Sequence, residues 1–138
     1  MISAADILTA RILVVDDDAD AAQVLQLVLT GAGYTAVSRT TDPTAVSELH
    51  RTHEYDLILL DVQMPLMDGF QVMESLKEFE RDGYLPVLAL TAEPGHQTRA
   101  LRYGAKDFLR KPFDVEELLV RVRNMIEVRL LYKDRSAG

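Results

Sequence analysis

The sequence contains no cysteine in its 138 residues and no uninterrupted apolar run longer than four residues. The absence of cysteine excludes a disulfide framework and a thiolate metal site, and it fits a protein of the cytoplasm. A run of four is far short of the roughly 20 apolar residues that cross a bilayer. Residues 1–10 also lack the charged and apolar regions of a signal peptide, so we expect a cytoplasmic protein with no membrane partner.

Basic residues are in deficit, because 15 Lys and Arg stand against 22 Asp and Glu, for a net charge of −7. Binding to nucleic acid through phosphate contacts needs a basic surface, so we expect no direct nucleic-acid partner. An acidic chain can nevertheless hold a cation. The content of 48% apolar and 27% charged residues fits one ordinary globular domain with a buried core.

Three apolar runs of four residues each stop at a carboxylate or hydroxyl side chain. The residues at these points are Asp16 with Asp17, then Asp61, and then Thr91. The runs alternate with longer segments of helical spacing, and this alternation predicts a parallel sheet with helices on both faces. Because the carboxyl ends of parallel strands share one edge, where ligands bind, we expect a single acidic pocket there.

The alternation predicts five strands and five helices. The strands are expected at 11–15, 35–38, 56–60, 86–90 and 107–109. The helices are expected to end near residue 30, to begin at Pro43 with Asp42 as N-cap, and to cover 70–80, 97–103 and 114–132. Residues 1–10 then form a lead-in, 11–133 one domain with an extended last helix, and 134–138 a tail.

The acids that follow the first strand exceed what a helix cap requires. An aspartate after a strand often only caps the next helix, and for Asp17 or Asp18 alone that is the simpler interpretation. Clustered carboxylates repel one another unless a cation compensates. Carboxylate oxygens that leave room for water suit magnesium, and Asp16, Asp17 and Asp61 can supply such a site if the first and third strands are neighbours.

Lys111 follows the fifth predicted strand and adds a cation at the same edge. Alone it would be interpreted as a surface lysine. Beside a metal and several carboxylates it becomes a partner for a phosphate group, with the Thr91 hydroxyl donating to another oxygen. A carboxylate nucleophile, magnesium, lysine and hydroxyl together indicate phosphoryl transfer, which depends on positioning and charge neutralisation.

Four segments in sequence order resemble the response-regulator receiver domain of two-component signalling. They are ILVVDD at 12–17, DLILLDVQMPLMDG at 56–69, LTA at 90–92 and GAKDFLRKPF at 104–113. Each motif alone is weak, but the four together at the family's spacing are specific, and the resemblance spans about 11–125. It implies a flavodoxin-like, doubly wound α/β fold with a five-stranded parallel sheet of order 2-1-3-4-5 and five helices.

The resemblance implies that Asp61 is the phosphoacceptor. Asp16 and Asp17 would hold Mg²⁺ together with Asp61 and the backbone carbonyl of Gln63. The phosphoryl group would come from the phosphohistidine of a sensor histidine kinase or of a histidine phosphotransfer protein. The chain would therefore be a signalling phosphoacceptor with self-catalysed transfer and autodephosphorylation, rather than an enzyme.

The resemblance also implies phosphate-binding and switch residues. Lys111 would pair with the phosphoryl oxygens, Thr91 would move to hydrogen-bond one of them, and Ala92 would leave room for the group. Phe108 would turn inward into the space that Thr91 leaves, so Thr91 and Phe108 would relay the state. The Lys111–Pro112 peptide bond would be cis.

The output is expected on the face formed by the fourth predicted helix, the fifth strand and the fifth predicted helix. A downstream effector domain or protein would use this face. The extended last helix carries apolar residues beyond the sheet, among them Val128 and Leu131. These residues suggest either a homodimer through the same face or a solvated helix end.

Other interpretations compete with this one. In a haloacid-dehalogenase-like phosphatase, Asp16 would be the nucleophile and Asp18 the general acid, with Thr91 and Lys111 on the phosphate; the late acid pair of that family is missing. The spacing of Asp16, Asp18 and Asp20 also mimics a calcium loop, which lacks its glycine and closing glutamate here. A third alternative is a receiver-like binding module that is never phosphorylated. The histidines, predicted to lie at the surface or at helix ends, are His50, His53 and His96.

Overall fold

The computed structural model describes residues 2–62, 69–80, 84–92 and 96–137, and its side-chain description omits 80, 96, 97 and 134–137. Its strands are β1 (Arg11–Val15), β2 (Ala36–Thr40), β3 (Leu57–Asp61), β4 (Val87–Thr91) and β5 (Asp107–Arg110). Its α-helices are α1 (Ala4–Leu8), α2 (Ala19–Gly31), α3 (Val46–His53), α4 (Gly69–Glu80), α5 (His96–Arg102) and α6 (Val115–Ala137), and a 3-10 turn covers Pro43–Ala45. A helix follows every strand, as the apolar runs predicted.

The five strands form one parallel sheet in the order β2-β1-β3-β4-β5. This order confirms the predicted flavodoxin-like, doubly wound α/β class. Val15 at the end of β1 lies opposite Leu60 of β3, and Asp61 lies opposite Leu90 of β4. The carboxyl ends of β1, β3 and β4 therefore meet at one edge of the sheet.

Two hydrophobic cores lie on the two faces of the sheet. Successive residues of a strand point to opposite faces, so Ile12 and Val14 join one core, while Leu13 and Val15 join the other. Helices α2 and α6 cover the first core, and α3, α4 and α5 cover the second. Because β3 and β4 are buried on both faces along their whole length, they appear in the sequence as continuous apolar runs.

Most element ends differ from the prediction by only one or two residues. Strands β3 and β4 end at Asp61 and Thr91 themselves, so these side chains are held by the sheet rather than by the loops. Helix α6 begins at Val115 and continues to Ala137, past the predicted end. The turn predicted at 82–83 lies outside the described residues. Within the described ranges, no helix has the length and hydropathy of a membrane span.

The described residues form six α-helices, so the predicted count of five was wrong. The additional helix is α1, inside the predicted lead-in. Its capping box has the Ser3 hydroxyl accepting from the Asp6 N–H at 3.1 Å and the Asp6 carboxylate accepting from the Ser3 N–H at 2.8 Å. Ile7 is buried in the core that α2 and α6 cover. A helix of five residues is too short to show helical spacing in the sequence.

His50 meets the helix-end alternative of the histidine prediction and is buried. It lies in the last turn of α3, as expected of a helix-end histidine, but only 6% of it is exposed. Its Nδ1 accepts a hydrogen bond from the Tyr55 N–H at 3.1 Å, and its ring meets the Phe79 ring edge-on at 4.6 Å. His53 is exposed as predicted, and the side chain of His96 lies outside the description.

We expect His50 to make the protein less stable as the pH falls below about 6.5. Burial, aided by the charge of Arg129, lowers the pKa of His50 in the folded state. The unfolded chain therefore binds a proton that the folded chain does not, and the free energy of unfolding falls by up to about 1.4 kcal/mol per pH unit. Urea unfolding between pH 7.5 and 5 should show a shallower pH dependence in His50→Gln, whereas His53→Gln should match the wild type. Equal slopes in all three proteins would contradict this account.

Gly69 is required where α4 begins beside the end of β3. A Cβ built at Gly69 would lie 2.4 Å from the Val62 Cα and 2.9 Å from its side chain, whereas one at Gly31 meets nothing within 4 Å. We therefore expect Gly69→Ala to lower the free energy of unfolding by about 1–3 kcal/mol or more. Gly31→Ala, the control, should change it by no more than about 1 kcal/mol and in the stabilising direction. Similar urea midpoints for the two variants would show that the chain relaxes around the added methyl group.

Candidate functional site

Three aspartates meet at the carboxyl edge of the sheet. Single carboxylate oxygens of Asp16, Asp17 and Asp61 all lie within 4.8 Å of one another. Asp61 is the last residue of β3, and Asp16 directly follows the neighbouring β1, which explains why two residues far apart in sequence meet. Asp16 and Asp61 are buried, and Asp17 is exposed.

The donor set of this cluster fits a hard divalent cation. All three groups offer carboxylate oxygens, and the exposed side at Asp17 leaves room for water ligands, which magnesium retains when bound to proteins. Three carboxylates this close repel one another, so a cation at the cluster removes an electrostatic cost. The residues present therefore fit Mg²⁺. The fourth predicted ligand, the carbonyl of Gln63, lies outside the described residues.

Lys111 extends from the loop after β5 into the same cluster. Its Nζ lies 3.1 Å from Oδ2 of Asp16 and 3.6 Å from Oδ2 of Asp61. Its backbone N–H donates to the carbonyl of Thr91 at 2.8 Å, and the peptide bond to Pro112 is cis, the isomer that the resemblance implies. The backbone bond to the end of β4 fixes where the lysine side chain starts. With 27% of its side chain exposed, the ammonium lies between the buried carboxylates and solvent.

Asp18 has a different role from the two acids that precede it. Its carboxylate accepts from the N–H groups of Asp20 at 2.9 Å and Ala21 at 3.3 Å, and it caps α2. Its own N–H donates to Oδ1 of Asp16 at 3.0 Å, which orients that carboxylate. The capping interpretation therefore holds for Asp18, whereas Asp16 and Asp17 belong to the cluster. A carboxylate engaged in a cap is poorly placed to be the general acid of a phosphatase.

The remaining candidate residues line the β4 and β5 side of the site. Thr91, the last residue of β4, is fully buried, and Ala92 after it is exposed. Phe108 of β5 is half-buried and packs against the core under α3, α4 and α5. It lies opposite Ala89, two residues before Thr91, so Phe108 and Thr91 lie on the same face of the sheet. This is the arrangement that a coupled movement of the two side chains would need.

Asp56 is a buried carboxylate whose position in the sequence predicted only the start of a strand. It directly precedes β3, at the edge of the sheet opposite the cluster, and is 4% exposed. It accepts from the Arg11 N–H at 2.9 Å and pairs with Arg129 at 3.4 Å and Lys133 at 3.0 Å. These contacts attach the last turns of α6 to the sheet. Nothing in the spacing of Asp56 and Arg129 indicates this pair.

A family model described as the response regulator receiver domain matches residues 12–123. The chain belongs to this family. Receiver domains are phosphoacceptors of two-component signalling that bind Mg²⁺ at an acidic pocket. In this receiver domain, the aspartate cluster at the carboxyl edge of the sheet has the composition of such a pocket.

Relatives at about 40% identity are response regulators. The DNA-binding dual master transcriptional regulator RpaA of Synechocystis sp. is 41% identical over 118 residues, which are 84% of this chain and 48% of the relative. The response regulator PleD of Caulobacter vibrioides is 40% identical over 126 residues, 90% of this chain and 28% of the relative. A solved structure described as a response regulator of Chloroflexus aurantiacus has a TM-score of 0.79 at 32% identity, covering 86% of this chain and 98% of that one. The receiver domain thus spans about half, or less, of the length of the curated relatives.

Proposed function

We propose that this receiver domain takes a phosphoryl group from a phosphohistidine onto Asp61. The observation that supports it best is the meeting of Asp61 with two further carboxylates and the Lys111 ammonium at one edge of the sheet. A buried carboxylate beside a cation site and a lysine can act as a nucleophile toward a phosphoryl group. The donor would be a sensor histidine kinase or a histidine phosphotransfer protein.

In the proposed step, an Oδ of Asp61 attacks the phosphorus atom of the phosphohistidine. The new O–P bond forms as the P–N bond breaks, and the electron pair of that bond returns to the imidazole nitrogen of the donor, which can take up a proton. The product on this chain is an acyl phosphate. Hydrolysis of that acyl phosphate by water would return Asp61 to a carboxylate.

The surrounding residues would bind the transferred group. We assign Asp16, Asp17 and Asp61, with the carbonyl of Gln63, to hold Mg²⁺, which when bound would neutralise charge on the phosphoryl oxygens. Lys111 lies 3.6 Å from Asp61 and would pair with one of these oxygens. The Thr91 hydroxyl would donate to another, and the small Ala92 would leave space for the group.

Phosphorylation would be converted into a change of surface. The added group carries roughly −1.5 to −2 charges at neutral pH. Movement of Thr91 toward it would allow Phe108 to turn inward and would alter the face formed by α5, β5 and α6. We propose that this face binds a downstream effector domain or protein, or a second copy of the chain. We place the receiver domain at 11–133, and α1 contributes Ile7 to its core.

The class of chemistry can be tested with a small phosphodonor such as acetyl phosphate. With Mg²⁺, intact-mass measurement should show one added phosphoryl group per chain, stable in acid and lost in base, as expected for an acyl phosphate. Chelation of the metal should prevent the addition. A chain that acquires no phosphoryl group under these conditions would favour a receiver-like binding module that is never phosphorylated.

A further inference from the structure

A cation-aromatic stack joins α5 to α4 next to the site. The guanidinium carbon of Arg99, on α5, lies 3.9 Å from the centre of the Phe70 ring on α4. The ring of Tyr103, just after α5, lies 5.3 Å from that of Phe70, and Arg99 is 5.6 Å from the Tyr103 ring. Contacts of this kind at exposed sites are weak but directional. We refer to Arg99, Phe70 and Tyr103 as the α4–α5 stack.

Phe70 is connected to the acceptor strand through two close backbone contacts. It follows Gly69, whose N–H donates to the carbonyl of Val62 at 3.2 Å and whose Cα admits no methyl group because Val62 is so near. Val62 directly follows Asp61, and its N–H donates to the carbonyl of Leu90 at 3.1 Å. Phe70 is itself 2% exposed, so its ring has little freedom to move. The position of the ring is therefore fixed relative to the acceptor.

Helix α5 has a second connection to the site through its own start. It follows β4, whose last residue is Thr91, and β4 leads into α5 within a few residues. Because only four residues separate Thr91 from α5, we expect a movement of Thr91 toward a phosphoryl group on Asp61 to displace the start of α5. Arg99 opposes such a displacement because its guanidinium contacts the Phe70 ring, which belongs to α4 and does not move with α5. The stack and the movement of Thr91 therefore act on the same helix in opposite directions.

We propose that Arg99 is a positioning residue that holds α5 in the arrangement of the domain with an unmodified acceptor. The stack occurs together with direct contacts of Lys111 to the carboxylates of Asp16 and Asp61, and a phosphoryl group on Asp61 would replace these contacts because Lys111 would then pair with the phosphoryl oxygens. The stack stabilises the unmodified state and so raises the cost of switching. This inference rests on the proposed phosphoacceptor function, and it adds a residue that neither the family motifs nor the site geometry identifies.

The test is the affinity of the full chain for beryllofluoride, a mimic of the phosphoryl group, measured by calorimetry in the presence of Mg²⁺. A ligand that binds the switched state gains apparent affinity when the competing state is destabilised. Arg99→Met removes the cation but keeps an unbranched side chain, and it should tighten binding about two- to fivefold. Arg99→Lys retains a cation and should fall between Arg99→Met and the wild type. Arg102→Met, on the same helix but outside the stack, should bind as the wild type does.

The outcomes separate the inference from the proposed function. Unchanged or weaker binding by Arg99→Met, or an equal gain in Arg102→Met, would overturn the role of Arg99 while leaving Asp61 as the acceptor. A purely structural role would lower the thermal midpoint of Arg99→Met without tightening beryllofluoride binding, and it would overturn the inference too. Wild-type protein that binds no beryllofluoride, or binds it equally well as Asp61→Asn, would overturn the proposed function and the inference together.

Discussion

Asp61→Asn is expected to reduce phosphoryl incorporation from a small phosphodonor to background. An amide oxygen carries no charge and is a poor nucleophile, so the O–P bond cannot form at this position. The substitution retains the shape of a residue that is only 7% exposed, so the fold should survive. Incorporation is followed by intact mass at saturating Mg²⁺.

Asp18→Asn is the matched control for this loss of activity. It removes the same charge from the same edge, and asparagine is as good an N-cap as aspartate, so α2 should remain capped. We expect this variant to incorporate phosphoryl groups as the wild type does. Retention of incorporation in Asp61→Asn together with its loss in Asp16→Asn would instead support the phosphatase alternative, in which Asp16 is the nucleophile and Asp18 the acid.

The second large effect is on Mg²⁺ affinity, which Asp17→Asn and Lys111→Met are expected to change in opposite directions. The interaction energy of two unit charges about 4 Å apart is about 1 kcal/mol in water and about 4 kcal/mol near a protein surface. Asp17→Asn, which keeps an oxygen ligand but loses its charge, should therefore weaken Mg²⁺ binding by at least about fivefold. Lys111→Met removes a cation that lies 3.1 Å from Asp16 and should strengthen Mg²⁺ binding.

The same two variants should behave alike in phosphoryl incorporation. Both should be slower than the wild type, Asp17→Asn through lost metal and Lys111→Met through a lost partner for the phosphoryl oxygens. Calorimetric titration with Mg²⁺ gives the affinities, and Asp20→Asn, an exposed acid in the first turn of α2, controls for general charge effects. Weaker Mg²⁺ binding by Lys111→Met would mean that the lysine organises the cluster rather than competing with the ion.

The sequence predicted the sheet well because its strands are buried on both faces. A strand such as β3 must then be apolar throughout, and its end can be recognised in the sequence because the apolar run stops at Asp61. The periodicity alone did not give the order of the strands, which came from the resemblance of the motifs. That order is what brings Asp16 and Asp61 together, so the acidic pocket could be predicted only once β1 and β3 were taken as neighbours.

The features that the sequence did not reveal depend on contacts between distant residues or on short segments. Helix α1 has too few residues for a recognisable spacing, and the burial of His50 depends on where Phe79 packs. The stack of Arg99 on Phe70 joins two different helices, so the residue pattern of neither helix contains a sign of it. Such contacts are set by how the helices pack on the sheet, which a single sequence does not specify.

The site of the covalent bond is the most direct test of the account. Borohydride reduces an aspartyl phosphate to homoserine, and peptide mass spectrometry then identifies the modified position in protein treated with phosphodonor and Mg²⁺. We predict homoserine at residue 61 and at no other aspartate. Homoserine at residue 16, or a phosphorylated chain in which residue 61 stays aspartate, would contradict the assignment of Asp61 as the phosphoacceptor.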